Sequence, residues 1–205
     1  MLKQKFTSLA QQFIQNKTLI NSHYKEILLA HTNTKRHYHT LKHLETLFKE
    51  FAPFMLDDEA LCVIGFTIFY HDSIYNVTSQ NNETQSAVLA KKRLLELGVS
   101  LGIIKQVVEL ILLTKTHPIS QKKLYNLFLD ADLSILGSSA KRYKSYLQEI
   151  RKEYAIYDDK HYKKGRILVL EHFLKKEKLF QTDFFYEKYE KIAQKNIQNE
   201  LLYLK

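Results

Sequence analysis

The chain has 205 residues, 45% hydrophobic and 26% charged, with 31 Lys and Arg against 22 Asp and Glu for a formal charge of +9. This is the composition of an ordinary soluble globular protein, long enough for one well-buried domain and hardly enough for two. The apolar run Ala60 to Tyr70 is too short to span a bilayer, the single Cys62 excludes a disulfide within the chain, and five Gly and two Pro argue against many strands. The basic surplus draws anions, whether nucleic acid, acidic membrane or phosphorylated small molecules, but it is scattered and forms no arm. The N-terminal MLKQKFTSLAQQF is amphipathic without an apolar signal core, and Cys62 reads as a buried structural thiol, so a cytoplasmic protein is expected.

From Met1 to about Asn16, Phe6, Leu9, Phe13 and Ile14 fall at helical spacing, and a second short helix is expected over Leu19 to Ala30. The most histidine-dense stretch follows, with His31, His37, His39 and His43. Thr40 is the expected N-cap of a helix whose inward stripe is Leu44, Leu47, Phe48 and Phe51. His43 stands at the edge of that stripe, while His37 and His39 precede the cap. Pro53 closes the helix, and Asp57, Asp58 and Glu59 open the next one, as the helix dipole favours.

That next helix is apolar all round, which implies a central position, and it ends in His71-Asp72. An Asn-rich polar loop, Ser73 to Asn82, leads to a helix from Glu83 to Leu97 with Ala87, Ala90, Leu94 and Leu97 inward and Gly98 as its stop. Ser100 caps a further helix with Ile104, Val107, Val108 and Ile111 inward, which runs out at Lys115 and His117 before Pro118. In LYNLFLDADLSILG, residues 124 to 137, Asp130 and Asp132 are embedded among apolar neighbours, and one of them is expected to face the interior. A stripe of Tyr143, Leu147, Ile150, Tyr154 and Tyr157 marks a long helix, and two more, about Tyr162 to Lys176 and Asp183 to Leu204, complete an all-α chain of one domain.

An ionised carboxylate at the end of an apolar helix is costly unless a counter-charge meets it, and a metal ion is the strongest one available. His43, His71, Asp72 and Asp132, on three predicted helices, form a mixed nitrogen and oxygen set suited to Mn²⁺, Fe²⁺, Co²⁺, Ni²⁺, Zn²⁺ or, less ideally, Mg²⁺. His39 or His37 could take the place of His43. Such a cation would acidify a water and polarise a phosphoryl group.

These residues resemble the HD-domain superfamily of metal-dependent phosphohydrolases, and most closely the members that carry RHYHxLxH near the N-terminus. The motif here is Arg36 to His43, followed by FYHDSIYN, NETQSA (Asn82 to Ala87), LLTKTH (Leu112 to His117) and FLDADLSILG (Phe128 to Gly137). The resemblance covers roughly residues 35 to 155 and implies a single HD-type helical bundle with additional C-terminal helices. It implies that His43, His71, Asp72 and Asp132 bind one divalent metal, with Asp132 preferred to Asp130 because the motif places the ligand in Ala-Asp-Leu. There is no GYP block and no Glu-Asp pair after the HD dipeptide, so the cyclic-dinucleotide phosphodiesterase and alarmone-hydrolase branches are poor matches.

The expected activity is hydrolysis of a phosphate ester or anhydride in a nucleotide or other small phosphorylated metabolite. Asp72 and Glu83 are the expected catalytic residues, Glu83 orienting or deprotonating the water, although an acid in a first helical turn is also ordinary dipole chemistry. Arg36, His39, Lys115 and His117 are the expected phosphate contacts, Arg36 as a bidentate clamp. The rival expectation is a nucleic-acid-binding or regulatory helical protein in which the metal is structural.

Overall fold

The computed structural model describes residues Met1–Lys205 and contains no strand. Its ten α-helices are α1 (Leu2–Ala10), α2 (Lys17–His31), α3 (Leu41–Glu50), α4 (Asp58–Tyr70), α5 (Asn82–Glu96), α6 (Leu101–Leu113), α7 (Lys123–Leu133), α8 (Ala140–Glu153), α9 (Asp159–Leu174) and α10 (Asp183–Leu204). A 3-10 turn, Ser134–Gly137, follows α7. The all-α expectation is met. No helix is long and apolar enough to cross a membrane. The chain divides into two compact units, residues 1–118 and 119–205.

In the first unit α4 is the central element. Asp57 caps it, its carboxylate accepting from the Ala60 amide at 2.8 Å, and Asp58 and Glu59 occupy the first turn. Every residue from Cys62 to Tyr70 is buried, because α1, α3, α5 and α6 all pack against this helix. From α1, Phe6 meets Phe69 edge-on at 5.2 Å, the arrangement that the ring quadrupole favours. Burial raises the pKa of the Cys62 thiol, as expected of a structural cysteine.

α5 turns Ala87, Ala90, Leu94 and Leu97 inward and stops at Gly98, whose φ of +74° is the left-handed conformation glycine tolerates. α6 is capped by Ser100 and buries Ile103, Ile104, Val107, Leu110 and Ile111. Val108 is only half-buried, so the inward face is broader than the predicted stripe and rotated from it. Between α2 and α5, Arg93 grips Glu26 with two N–H···O contacts of 2.7 and 2.9 Å, a bidentate pair that sets the spacing of the two helices.

The second unit is built on α10, which packs against α7, α9 and the 3-10 turn. Two of its buried carboxylates, Glu190 and Glu200, are met by donors of the protein. Arg166 donates to Glu200 at 2.7 Å, and the Tyr143 hydroxyl donates to the same carboxylate at 2.6 Å. Glu190 accepts from the Leu179 and Phe180 amides. Tyr143, Tyr146 and Ile150 are buried on α8, whereas Tyr154 and Tyr157 are half-buried in the turn beyond it.

Gly137 lies so close to α10 that a Cβ there would fall 2.9 Å from the Tyr189 Cα, a backbone atom that cannot swing aside. Gly137→Ala should therefore lower the stability by about 1–3 kcal/mol, the usual penalty of overpacking. Gly102, on α6, has nothing within 4 Å of its would-be Cβ. Gly102→Ala should be neutral or gain up to about 1 kcal/mol of helix propensity. Urea unfolding of the two variants beside the parent checks both signs.

Candidate metal centre

His71 is the C-cap of α4, and its ring is fully buried. Its Nδ1 lies 3.1 Å from the Ile68 carbonyl and 3.2 Å from that of Thr67. A carbonyl can only accept, so Nδ1 carries the hydrogen and the Nε2 lone pair points away from the helix. A backbone partner on one ring nitrogen is the usual way to hold the other in ligating orientation.

That Nε2 stands 3.1 Å from Asp72 Oδ2 and 3.2 Å from His43 Nε2. His43 comes from the first turn of α3, and its Nε2 is 3.8 Å from the same oxygen. Thr40 occupies the predicted cap position of α3, but its side chain makes no capping bond. His39, in the loop ahead of it, brings a third Nε2 to 4.0 Å from Asp72 Oδ2, with its ring tilted against Tyr75 at 4.4 Å. The rings of His43 and His71 are almost completely enclosed, while His39 and Asp72 each keep 20% of their side chains exposed, so the cluster has a wet side.

Burial works against charge on Asp72; positive charge on His71, His39 and His43 outweighs it and holds the carboxyl well below the usual range, so the ionised form depends on a proton or a cation shared with these rings. A lone-pair nitrogen 3.1 Å from a carboxylate oxygen repels it unless a proton or a cation lies between. Imidazole nitrogens and one carboxylate oxygen this close together are donor types that could hold a metal ion.

The other expected residues are placed as follows. Arg36 is buried, and its guanidinium donates to the carbonyls of Asp72, Ser73 and His39. Lys115 reaches back to the Gln80 carbonyl at 2.7 Å, bracing the Asn-rich loop, which is also tied to α5 by paired Asn76–Asn82 bonds. Glu83 is half-buried in the first turn of α5. His117 has a φ of +46°, a left-handed conformation that strains a residue with a side chain. His37 is exposed.

Asp132 is half-buried on α7, in the second unit. Of the two α7 aspartates, Asp130 is the one that faces the interior, and it is not a surface residue: it is 1% exposed and accepts from the Gln181 amide and from the amide and hydroxyl of Thr182. Those donors hold it in place at the start of α10 while burial raises its pKa. The carboxylates at 130 and 132 therefore have separate surroundings, as residues two apart on a helix must.

Tyr38 and Tyr75, whose rings flank His43 and His39, had no expected role. Their positions inside RHYH and HDSIYN were the available signal. His31 was noted only as one of four histidines. It is 1% exposed, donates from Nδ1 to the Ile27 carbonyl, and leaves Nε2 buried without a hydrogen-bond partner. Compared with family models, curated proteins and solved structures, the chain matches none of them.

Burial, assisted by the positive charge of Arg36, lowers the His31 pKa to about 3. The folded protein keeps this ring neutral, while the unfolded chain takes up a proton below pH ~6.5. Stability must therefore fall as pH drops from about 6.5 toward 3, by ~2 kcal/mol between pH 7 and pH 5. Urea unfolding of His31→Gln should show that much less loss over the same interval. An equal slope in the two proteins would remove His31 as the titrating group.

Proposed function

We propose that the protein is a metal-dependent phosphohydrolase acting on a nucleotide or another small phosphorylated metabolite. The observation that carries the reading is the convergence of three imidazole Nε2 atoms on Asp72 Oδ2, with His71 fixed by its backbone bond in the ligating tautomer. His43, His71 and Asp72 are the proposed ligands, and Asp132 is included on the strength of the sequence motif. A divalent cation bound by them supplies Lewis acidity toward a phosphoryl oxygen and toward a water.

The chain's own residues do the rest. Asp72, as a carboxylate, would offset part of the cation's positive charge. His39 stands on the open side of the cluster, against Tyr75, where its ring can donate to a phosphoryl oxygen. Glu83 is the proposed proton acceptor, and its place in the first turn of α5 gives its carboxylate a fixed base. Strain retained at His117, where glycine would be easier, supports a role for its side chain in binding phosphate. Lys115 adds positive charge beside the same loop.

Protein purified without chelator should contain or take up a divalent cation, and His71→Ala and Asp72→Ala should each lose it. Equal metal content in all three would end the assignment. A panel of nucleotides and simple phosphate esters with Mn²⁺, Co²⁺, Ni²⁺ and Mg²⁺ should reveal metal-dependent turnover that falls on the order of 100-fold or more in Asp72→Ala. No turnover with any metal, together with salt-sensitive binding of DNA or RNA that survives Asp72→Ala, would favour the nucleic-acid reading instead.

A further inference from the structure

Arg36 has the sequence context of a phosphate clamp, but its guanidinium faces the protein's own backbone. The residue is 8% exposed. Nη1 donates to the Asp72 carbonyl at 2.7 Å and to the His39 carbonyl at 3.2 Å, and Nη2 donates to the Ser73 carbonyl at 3.1 Å. Its face lies over the Tyr75 ring, 5.3 Å from the centroid. A buried cation needs acceptors, and here the acceptors are carbonyls of two separate segments.

Those segments carry the two halves of the donor set. Asp72 and Ser73 continue the end of α4, beside His71. His39 belongs to the loop that leads through Thr40 into α3, where His43 occupies the first turn. The Nε2 to Nε2 distance between His43 and His71 therefore depends on how that loop sits against the end of α4, and the guanidinium bridges the two. Its planar fork suits the task, because it can engage carbonyls of successive residues and a third on another segment at fixed angles. A lysine has one flexible point charge and cannot reproduce that geometry. His31 is electrostatically suited to the neighbourhood: burial and the charge of Arg36 keep its ring neutral, so no second positive charge disturbs the clamp.

We propose that Arg36 is a positioning residue that locks the loop bearing His39 onto the backbone of Asp72 and so sets the affinity of the centre for a divalent cation. The inference rests on the metal reading above and assigns Arg36 to the centre rather than to the substrate. Ligand donors already at ligating separation bind more tightly than donors that must first be gathered, because the ordering has been completed during folding.

The test is titration of the full chain with Mn²⁺ alone, followed by the electron paramagnetic resonance of the free ion, for the parent, Arg36→Lys, Arg36→Gln and Asp72→Ala. Circular dichroism of each reports folding. Arg36→Lys and Arg36→Gln should keep their helix content and bind Mn²⁺ about 10–100-fold more weakly, the range seen when a ligand's supporting partner is removed. Inorganic phosphate should bind the Mn²⁺-saturated Arg36→Lys protein within about twofold of the parent, on the reading that the guanidinium does not reach the ligand. Unchanged Mn²⁺ affinity in both Arg36 variants, with Asp72→Ala weakened, overturns this inference alone. So does weakened phosphate binding at unchanged Mn²⁺ affinity, which would return Arg36 to the substrate. Failure of both Arg36 variants to fold would make it a requirement of the core and would also overturn the inference. Equal Mn²⁺ binding by the parent and Asp72→Ala would instead remove the metal reading beneath it.

Discussion

An ionised carboxylate held at the end of an apolar helix is the constraint on which the first unit depends. Asp72 follows a helix whose residues from Cys62 to Tyr70 are all buried, so water reaches it from one side only. Nothing in α4 itself can offset that charge. The compensation has to come from a proton or a cation held jointly with His43 and His39, which α3 and the loop before it deliver, and with His71, whose other nitrogen is fixed by the helix's own carbonyls. Removing one partner from such a cluster leaves an uncompensated buried charge, which is why these side chains form a unit and not a set of separable contacts.

The second unit handles buried carboxylates in the opposite way. Asp130, Glu190 and Glu200 are each satisfied by donors of the protein itself: backbone amides for the first two, Arg166 and Tyr143 for the third. Their role is to fix the segment that leads into α10 and the packing of α8 and α9 around it. The contrast separates structural from chemical carboxylates. A carboxylate whose lone pairs are met by N–H and O–H groups has no reason to attract a cation, whereas one that faces imidazole lone pairs does.

The same distinction reinterprets the basic residues near the candidate centre. Arg36 and Lys115 both engage backbone carbonyls, at the end of α4 and in the loop beyond it. Each converts positive charge into a fixed loop geometry around the cluster. The Asn-rich segment between His71-Asp72 and α5 is likewise tied by its own side chains and by Ser86, whose hydroxyl holds both the amide and the carbonyl of Ile74. The centre is thus framed by hydrogen-bonded loops on a rigid helix, the arrangement that keeps ligand geometry when the ligand is absent.

Periodicity and terminal residues by themselves determined the all-α class, the central place of α4, its acidic start at Asp57 to Glu59, the stop at Gly98 and the extent of α10, because these depend on interactions within a few residues of one another. The spacing of histidines and carboxylates also made the His43, His71 and Asp72 cluster legible, since apolar flanks announce burial and buried donors call for a partner. What the local pattern could not supply was the direction of each side chain. Whether Arg36 faces a substrate or the carbonyls of residues 72 and 73 depends on contacts across more than thirty positions of chain. Which of Asp130 and Asp132 is satisfied by the start of α10 depends on contacts just as distant. Only the tertiary structure decided these, because a hydrogen bond is fixed by where two segments meet in space, and the sequence near either partner carries no record of the other.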